Sequence, residues 1–228
     1  RHHLMVLTPH IKPQIWPHLV RSGLPFGIIS LALTIAFSID TVMLSVYQPE
    51  YAIGWYSVAY SLIFSLNSFM RGFRQAIVPS LARMYVSSPA YVEQWYYRSV
   101  RLMMILSLPV AVGGTLLAFP LIRFLYTDEF LPSAVAFQIL IWDFPLMMFT
   151  SSCGQITTAV GEEHSAARIY SINAVANVLL NWYAIPRFGL IGASLVSVVT
   201  DLIGALQFHF LLRRKLHLPN ITWLFVRV

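Results

Sequence analysis

Long apolar stretches recur along most of this 228-residue chain. A transmembrane helix needs roughly 20 mostly apolar residues, and six stretches meet that length. Because lipid offers the backbone no hydrogen-bond partners, each stretch is expected to be helical. The sequence therefore predicts an all-α integral membrane protein with a six-helix bundle. The predicted spans are Leu24–Tyr47, Ile53–Pro79, Leu102–Tyr126, Ser133–Val160, Ala167–Ile185 and Leu190–Leu212.

Composition supports the bilayer as the solvent of this chain. Hydrophobic residues make up 57% and charged residues 11% of the sequence, whereas soluble domains carry about 25% charged residues. The net charge of +6 would suit a nucleic-acid partner, but the basic residues lie mostly at helix ends. Membrane topology explains that placement better, and we expect no nucleic-acid partner.

Basic residues occupy every other loop, which predicts that both ends of the chain are cytoplasmic. We expect a connector at 1–22, the membrane bundle at 23–215, and a tail or the start of a further helix at 216–228. The chain begins with Arg1 and ends in an apolar run, so we expect it to be a piece of a longer protein. The basic residues of the predicted cytoplasmic side are Arg1, Lys12, Arg21, Arg83, Arg98, Arg101, Arg168, Arg213, Arg214, Lys215 and Arg227.

Charged residues within the apolar stretches are the candidates for function. A charge in hydrocarbon costs about 3 kcal/mol on insertion scales, so such residues usually face a protein interior or a wet cavity. They predict a polar route through the bundle. The residues are Asp40, Arg71, Arg74, Asp143 and Asp201.

Arg71 and Arg74 share one face of the second span, with Gln75 beside them. A pair of guanidinium groups suits phosphate oxygens, which predicts a basic mouth that captures a pyrophosphate headgroup. Both side chains could instead extend to the inner interface and only set the topology.

The three aspartates have two interpretations. Asp40 and Asp143 are expected in the outer half of the bilayer, and Asp201 near the middle of the last span. Each could relay a proton or pair with a cation during transport. Each could instead be a neutral or hydrogen-bonded structural group, because burial disfavours the charged form of a carboxyl group.

Asn173, Asn177 and Asn181 recur every fourth residue and form one polar ridge on the fifth span. Amide side chains hold membrane helices together by about 1 kcal/mol each, which is one interpretation. The other is a stripe that faces the sugar of a substrate, with Asn173 and Asn177 as substrate-binding residues.

The sequence carries no motif of an enzyme or of a bound metal. It lacks a Gly-rich phosphate loop, a His-Glu-x-x-His pair and a nucleophile elbow. His2 and His3 have no further ligand placed to complete a metal site. We therefore expect neither an enzyme nor a cofactor or metal.

Several segments, taken in order and spacing, resemble the polysaccharide (O-antigen and capsule) flippases of the multidrug/oligosaccharidyl-lipid/polysaccharide exporter superfamily. The resemblance runs from Leu24 to Arg214. Tyr56–Leu62 lacks the cavity arginine of the sister branch, the lipid II flippases. The segments that carry it are Leu24-Pro25-Phe26-Gly27, Ile39-Asp40-Thr41-Val42-Met43-Leu44-Ser45, Ile53-Gly54-Trp55-Tyr56-Ser57-Val58-Ala59-Tyr60, Ala159-Val160-Gly161-Glu162, Ile172-Asn173-Ala174-Val175-Ala176-Asn177 and Ile185-Pro186-Arg187-Phe188-Gly189.

This resemblance implies a MATE-like transporter of twelve to fourteen helices in two six-helix halves, with this chain as the C-terminal half. It implies that the protein flips an undecaprenyl-pyrophosphate-linked oligosaccharide from the inner to the outer leaflet of a bacterial or archaeal plasma membrane. The partners would be that lipid, the bilayer and the missing N-terminal half. Arg71, Arg74 and Gln75 would attract the headgroup, and Asp40, Asp143 and Asp201 would couple transport to a cation.

Three other functions compete with this expectation. A cation-coupled multidrug antiporter would use the same fold and would export cationic compounds. An intramembrane glycosyltransferase or ligase would need a sizeable outward catalytic loop, and the predicted outer loops have only a few residues. A structural scaffold would not need ionisable residues in several spans.

Overall fold

The computed structural model describes residues 16–75 and 89–216, and within them the side chains of residues 16–17, 19–68 and 93–216. All regular secondary structure in these residues is helical. A single 3-10 turn, Asp128–Phe130, follows the third helix. The helices are α1 (Trp16–Tyr47), α2 (Glu50–Gln75), α3 (Pro89–Leu125), α4 (Ser133–Leu140), α5 (Asp143–Ala159) and α6 (Glu163–Leu216).

Four of the described segments are long and apolar enough to cross a membrane: Leu19–Tyr47, Glu93–Leu125, Ser133–Ala159 and Glu163–Leu216. This result confirms the prediction of a multi-pass, all-α membrane protein. The 26-residue α2 is about 39 Å long but is more polar than the others. Its exposed face carries a serine every third or fourth residue: Ser57, Ser61, Ser65 and Ser68.

The longest helix, α6, folds back on itself. Its 54 residues would extend about 80 Å as a straight rod, against about 30 Å of hydrocarbon. Gly189 interrupts it with φ 55° and ψ −133°, and we call residues 163–188 its first limb and residues 190–216 its second. The limbs lie antiparallel, because Asn177 contacts Thr200 and the ring of Tyr170 contacts that of Phe208. The spans predicted at Ala167–Ile185 and Leu190–Leu212 fall on these two limbs, and the connection between them is a sharp reversal at Gly189.

Local chemistry explains the position of this kink. Pro186 has no backbone N–H to donate within the helix, and glycine is the residue that tolerates the backbone angles of Gly189. The side chain of Gln48, from the turn between α1 and α2, donates to the carbonyl of Ile185 at 3.2 Å. It also packs against Gly189, where an added Cβ would lie 3.2 Å from Gln48 Oε1. The α1–α2 turn therefore holds the kink in place.

Other boundaries differ from the predictions. The span predicted at Ser133–Val160 is broken at residues 141–142, which separate α4 from α5. Residues 16–22, predicted as part of a connector, form the first turns of α1, and α3 already begins at Pro89. The rest of the connector (1–15), residues 76–88 and the tail (217–228) lie outside the described residues.

Two apolar clusters hold the bundle together. The larger one has members on all six helices, among them the buried residues Leu44, Tyr56 and Ile185. The smaller one joins α3, α5 and the two limbs of α6 around Tyr96 and Phe208. Where burial in these clusters excludes water, it stabilises the fold by on the order of 25 cal/mol per Å². In contact with lipid this hydrophobic gain is absent, and close packing stabilises the clusters instead. A polar cavity lies against both clusters.

Candidate functional site

The cavity has a volume of about 500 Å³ and lies among α1, α2, α5 and both limbs of α6. Its wall is unusually polar for the interior of an apolar bundle, with carboxylates, amides and hydroxyl groups. In the part of the chain that the structure describes, no lysine, arginine or histidine lines it. The polar lining residues are Ser30, Thr34, Asp40, Tyr60, Asn67, Asp143, Thr150, Ser151, Gln155, Tyr170, Asn173, Asn177, Ser197, Thr200 and Asp201.

Asp40 lies on α1, where it is only 2% exposed, and its carboxylate accepts three hydrogen bonds. Tyr56 of α2 and Ser197 of the second limb of α6 both donate to Oδ2 at 2.7 Å. Asn181 of the first limb donates to Oδ1 at 2.6 Å. Hydrogen bonds to an ionised acceptor are the strong ones in proteins. Asp40 therefore joins three helical segments through one carboxylate.

The asparagine ridge lies beside Asp40 on the first limb of α6. Asn181 donates to Asn177 Oδ1 at 3.1 Å, and Asn177 donates to Thr200 of the second limb at 3.3 Å. These bonds hold the limbs together, as the structural interpretation expects. Asn173 also lines the cavity, and its carbonyl oxygen is buried without a hydrogen-bond partner.

Asp143 and Asp201 form a second acidic feature of the cavity. Asp143 is the first residue of α5, directly after the break from α4, and it is 5% exposed. Its side chain lies within hydrogen-bonding reach of Asp201, on the second limb of α6. The Oδ1 atom of Asp143 is buried and has no hydrogen-bond partner. Two carboxyl groups thus face each other, and one of their oxygen atoms, Asp143 Oδ1, accepts no hydrogen bond.

The structure brings five of the predicted site residues to one cavity. These are Asp40, Asp143, Asp201, Asn173 and Asn177. The side chains of Arg71, Arg74 and Gln75 lie outside the described residues, so their contacts stay predictions.

The backbone register of α2 nevertheless relates those arginines to the cavity. Tyr60, Phe64 and Asn67 line it and recur at four- and three-residue steps along α2. Positions 71 and 74 continue the same series, because residues three or four apart share a helical face.

Sequence reasoning missed several lining residues. Tyr60 lines the cavity one turn after Tyr56, which donates to Asp40, and both lie within the segment Ile53–Tyr60 that carries the resemblance. Ser197 and Thr200 fall on the same face of the second limb as the predicted Asp201. Polar residues repeating at three and four positions within an apolar helix are a signal of such a face, and they could have been found by that pattern.

An ion pair closes the bundle at the turn between α5 and α6. Glu162 pairs with Lys215 and accepts a hydrogen bond from Ser165 at 2.7 Å. The hydrogen bond from the Lys215 ammonium group lowers the pKa of Glu162, and the Ser165 hydroxyl adds to the effect. This pair connects the start of the first limb to the end of the second.

Comparisons with known proteins relate this geometry to a family. The family model of polysaccharide biosynthesis proteins matches residues 5–135, more than half of the chain. An uncharacterized membrane protein of Methanocaldococcus jannaschii, MJ1068, is 30% identical over 95 residues, which are 42% of this chain and 19% of that protein.

Two solved structures share the fold. The lipid II flippase MurJ in an inward closed conformation superposes with a TM-score of 0.72 at 17% identity, over 90% of this chain and 45% of MurJ. A MOP superfamily transporter from Pyrococcus furiosus gives a TM-score of 0.62 at 19% identity, over 86% of this chain and 44% of the transporter. The chain thus has the fold of this superfamily and spans less than half the length of the proteins it matches. The predicted resemblance to proteins of polysaccharide biosynthesis is confirmed.

Proposed function

Because the chain belongs to the family of polysaccharide biosynthesis proteins, we propose that the protein flips a polyprenyl-pyrophosphate-linked oligosaccharide from the inner to the outer leaflet. The observation that carries the proposal is the polar cavity of about 500 Å³ within an otherwise apolar bundle. A sugar headgroup needs a hydrophilic route, since unsatisfied polar groups are costly in hydrocarbon. The carrier lipid would be undecaprenyl pyrophosphate, in the plasma membrane of a bacterium or archaeon.

The proposed topology has six crossings. α1, α2, α3, α4 with α5, and the two limbs of α6 each supply one, with both ends of the chain in the cytoplasm. A further six-helix half would precede this chain and complete a central route, so that the two halves rock about it in alternating access. The partial coverage of the matched structures supports this proposal.

The headgroup would enter at the arginine face of α2. Arg71 and Arg74 continue the helical face of the lining residues Tyr60, Phe64 and Asn67, and paired guanidinium groups suit pyrophosphate oxygens. Gln75 would add a hydrogen bond beside them. Asn173 and Asn177 would hydrogen-bond sugar hydroxyl groups, and the spare carbonyl oxygen of Asn173 supports that role.

The three aspartates would make the cavity the place where the cation that drives transport is bound. The described wall of the cavity offers Asp40, Asp143 and Asp201 but no lysine, arginine or histidine to balance them. A buried site of that polarity favours a cation over an anion. We therefore assign the pyrophosphate to the arginine face and the driving cation to the acidic cavity.

The same acidity favours a second candidate, a cation-coupled multidrug antiporter on this fold. The Pyrococcus furiosus transporter is described by a reverse polarity of its binding pocket that suggests a different function. A cationic substrate would then occupy the acidic cavity itself. Competition by cationic dyes, together with the drug sensitivity of a deletion strain, separates this candidate from the flippase.

Glycan export tests the proposed function directly. In a deletion strain we expect loss of surface glycan and accumulation of the lipid-linked oligosaccharide on the inner leaflet, both restored by the full-length protein. The double variant Arg71→Ala/Arg74→Ala should reduce export about tenfold or more at equal protein level, because each charge-assisted bond is worth about 1.5–3 kcal/mol.

The matched control for this variant is Arg123→Ala. Arg123 is an exposed residue at the end of α3 that pairs with Asp128 at 3.0 Å, and it does not line the cavity. Its loss should leave export unchanged. If the double arginine variant exports as much glycan as the wild type, the arginine face of α2 does not bind the headgroup. Normal surface glycan in the deletion strain would overturn the flippase function altogether.

A further inference from the structure

The two acidic features of the cavity differ in their hydrogen-bond partners. Asp40 accepts three bonds, from Tyr56, Ser197 and Asn181. Asp143 faces a second carboxyl group, that of Asp201, and keeps one buried oxygen without any partner. The same type of side chain thus meets hydrogen-bond donors at Asp40 and a second carboxyl group at Asp143.

Two carboxylates at hydrogen-bonding distance repel each other, and inside a protein both are not ionised together unless a counter-charge balances them. No such counter-charge appears among the described residues that line the cavity. A single proton between the two carboxyl groups removes the repulsion and supplies the hydrogen that their contact needs, as in the dyad of aspartic proteases. The pair is then one acid with one charge.

The titratable groups around the pair do not supply a positive charge that would balance two carboxylates. Asp40 from α1 adds negative charge, and Tyr60 from α2 is a neutral phenol at ordinary pH. Tyr170 from the first limb of α6 lines the same cavity as another phenol. Among the side chains that the structure describes, none from α3 or α4 lines it. Positions 71 and 74 lie further along the same face of α2. An arginine charge that reached the pair would leave both carboxyl groups ionised.

Asp40, in contrast, is poorly suited to take up a proton. Its Oδ2 already accepts from the hydroxyl groups of Tyr56 and Ser197, and its Oδ1 accepts from the amide of Asn181. A proton on Oδ2 would compete with both hydroxyl donors for its two lone pairs, and loss of the negative charge would weaken all three hydrogen bonds. Protonation there would loosen three helical segments at once.

We propose that Asp143 and Asp201 share one proton and form the proton-binding site of the cavity, whereas Asp40 remains a carboxylate that joins helices. As a statement about coupling, this inference rests on the proposed transport function. It names the driving cation as a proton, which the pair would take up when the cavity opens to one side and release when it opens to the other. No bond other than the O–H bond forms or breaks in this step.

Infrared spectroscopy of the full-length protein in lipid tests the inference without any transport assay. A protonated carboxyl group has its own carbonyl stretching band, which shifts in heavy water. We expect this band at neutral pH, its loss on titration to alkaline pH, and no such band from the double variant Asp143→Asn/Asp201→Asn. Asparagine keeps the shape and hydrogen-bonding capacity of aspartic acid, and the single variants provide the same test if the double variant does not fold.

Two controls sharpen this measurement. Asp40→Asn should keep the band, because Asp40 does not carry the proton. Asp128→Asn, which changes an exposed aspartate, should also keep it. A wild-type protein without the band at neutral pH would overturn the inference, since both groups would then be ionised, for example against an arginine of α2.

A band that survives in the double variant, or appears only when sodium is withdrawn, would equally overturn the inference. The infrared result does not depend on whether the proposed function is correct. A protein that shows the band but moves no lipid-linked glycan keeps its proton site and loses the flippase assignment.

Discussion

Asp40 and the Asp143–Asp201 pair place the same side-chain chemistry in two different surroundings. Asp40 is 2% exposed and has three donors, so its charge is compensated by the helices around it. Asp143 is also buried, whereas Asp201 is partly exposed. These two face each other, and one oxygen of Asp143 has no hydrogen-bond partner. The comparison teaches that burial alone does not decide the role of an intramembrane carboxylate. The donors around it do.

The largest expected effect is the loss of stability when Asp40, the carboxylate with three donors, is replaced. Asp40→Ala should lower the free energy of unfolding by about 3 kcal/mol or more, because it leaves the Tyr56 hydroxyl and one Asn181 N–H buried without their acceptor. Thermal unfolding of the purified protein in detergent measures this loss. Asp128→Ala is the control, and it should cost less than about 1 kcal/mol because it removes only an exposed ion pair. Equal small losses for both variants would contradict a joining role for Asp40.

Gly189→Ala tests the kink that brings the limbs of α6 to Asp40. The backbone angles of Gly189 are nearly confined to glycine, so the substitution should destabilise the protein by about 1–3 kcal/mol. Gly113→Ala is the matched control: it lies inside α3 with no atom within 4 Å of an added Cβ. That variant should be neutral or slightly more stable, since alanine favours helix. If Gly189→Ala unfolds like the wild type, the kink is not fixed by its backbone.

The single variant Asp143→Asn should have the opposite sign to Asp40→Ala. Replacing one member of the pair by an amide supplies an N–H donor in place of the shared proton, so stability should stay unchanged or rise by up to about 1 kcal/mol. The dependence of stability on pH around neutrality should shrink at the same time. Unfolding curves over a pH series measure both effects. A loss comparable to that of Asp40→Ala would show that Asp143 also serves chiefly to join helices.

The smallest effect belongs to Glu162, outside the cavity. Lys215 lowers its pKa in the folded protein, so its contribution is complete above the pKa of the unfolded chain and is lost as pH falls through the lowered value. Both partners are partly exposed, which limits the contribution to less than about 1 kcal/mol. Glu162→Gln should therefore remove a small acid-dependent loss of stability and leave the neutral-pH infrared band unchanged. A larger loss of stability at neutral pH would indicate a tighter contact between the limbs.

Much of the fold could be predicted from hydropathy, because the bilayer requires long apolar helices. The predicted spans at Leu24–Tyr47 and Leu102–Tyr126 correspond to α1 and α3. Hydropathy did not reveal the break between α4 and α5, which depends on local backbone geometry within a segment that stays apolar throughout. The predicted boundary between Ile185 and Leu190, in contrast, coincides with the kink at Gly189.

The candidate site was predictable in its members but not in its pairings. An aspartate within an apolar span is visible in the sequence, and so are Asn173 and Asn177. That Asp40 meets Asn181 and Ser197, 141 and 157 residues further along the chain, depends on which helix faces pack together. No pattern within one helix carries that information. The split between a donor-rich and a donor-poor carboxylate therefore came only from the fold.

The most direct test of this account is flipping of a fluorescent polyprenyl-pyrophosphate oligosaccharide by the full-length protein in liposomes under an imposed pH gradient. The wild type should flip faster with the gradient than without it, and reversing the gradient should reverse its effect. The double variant Asp143→Asn/Asp201→Asn should flip at a rate that ignores the gradient. Equal responses of the wild type and the double variant to the gradient would contradict the claim that this pair takes up the proton.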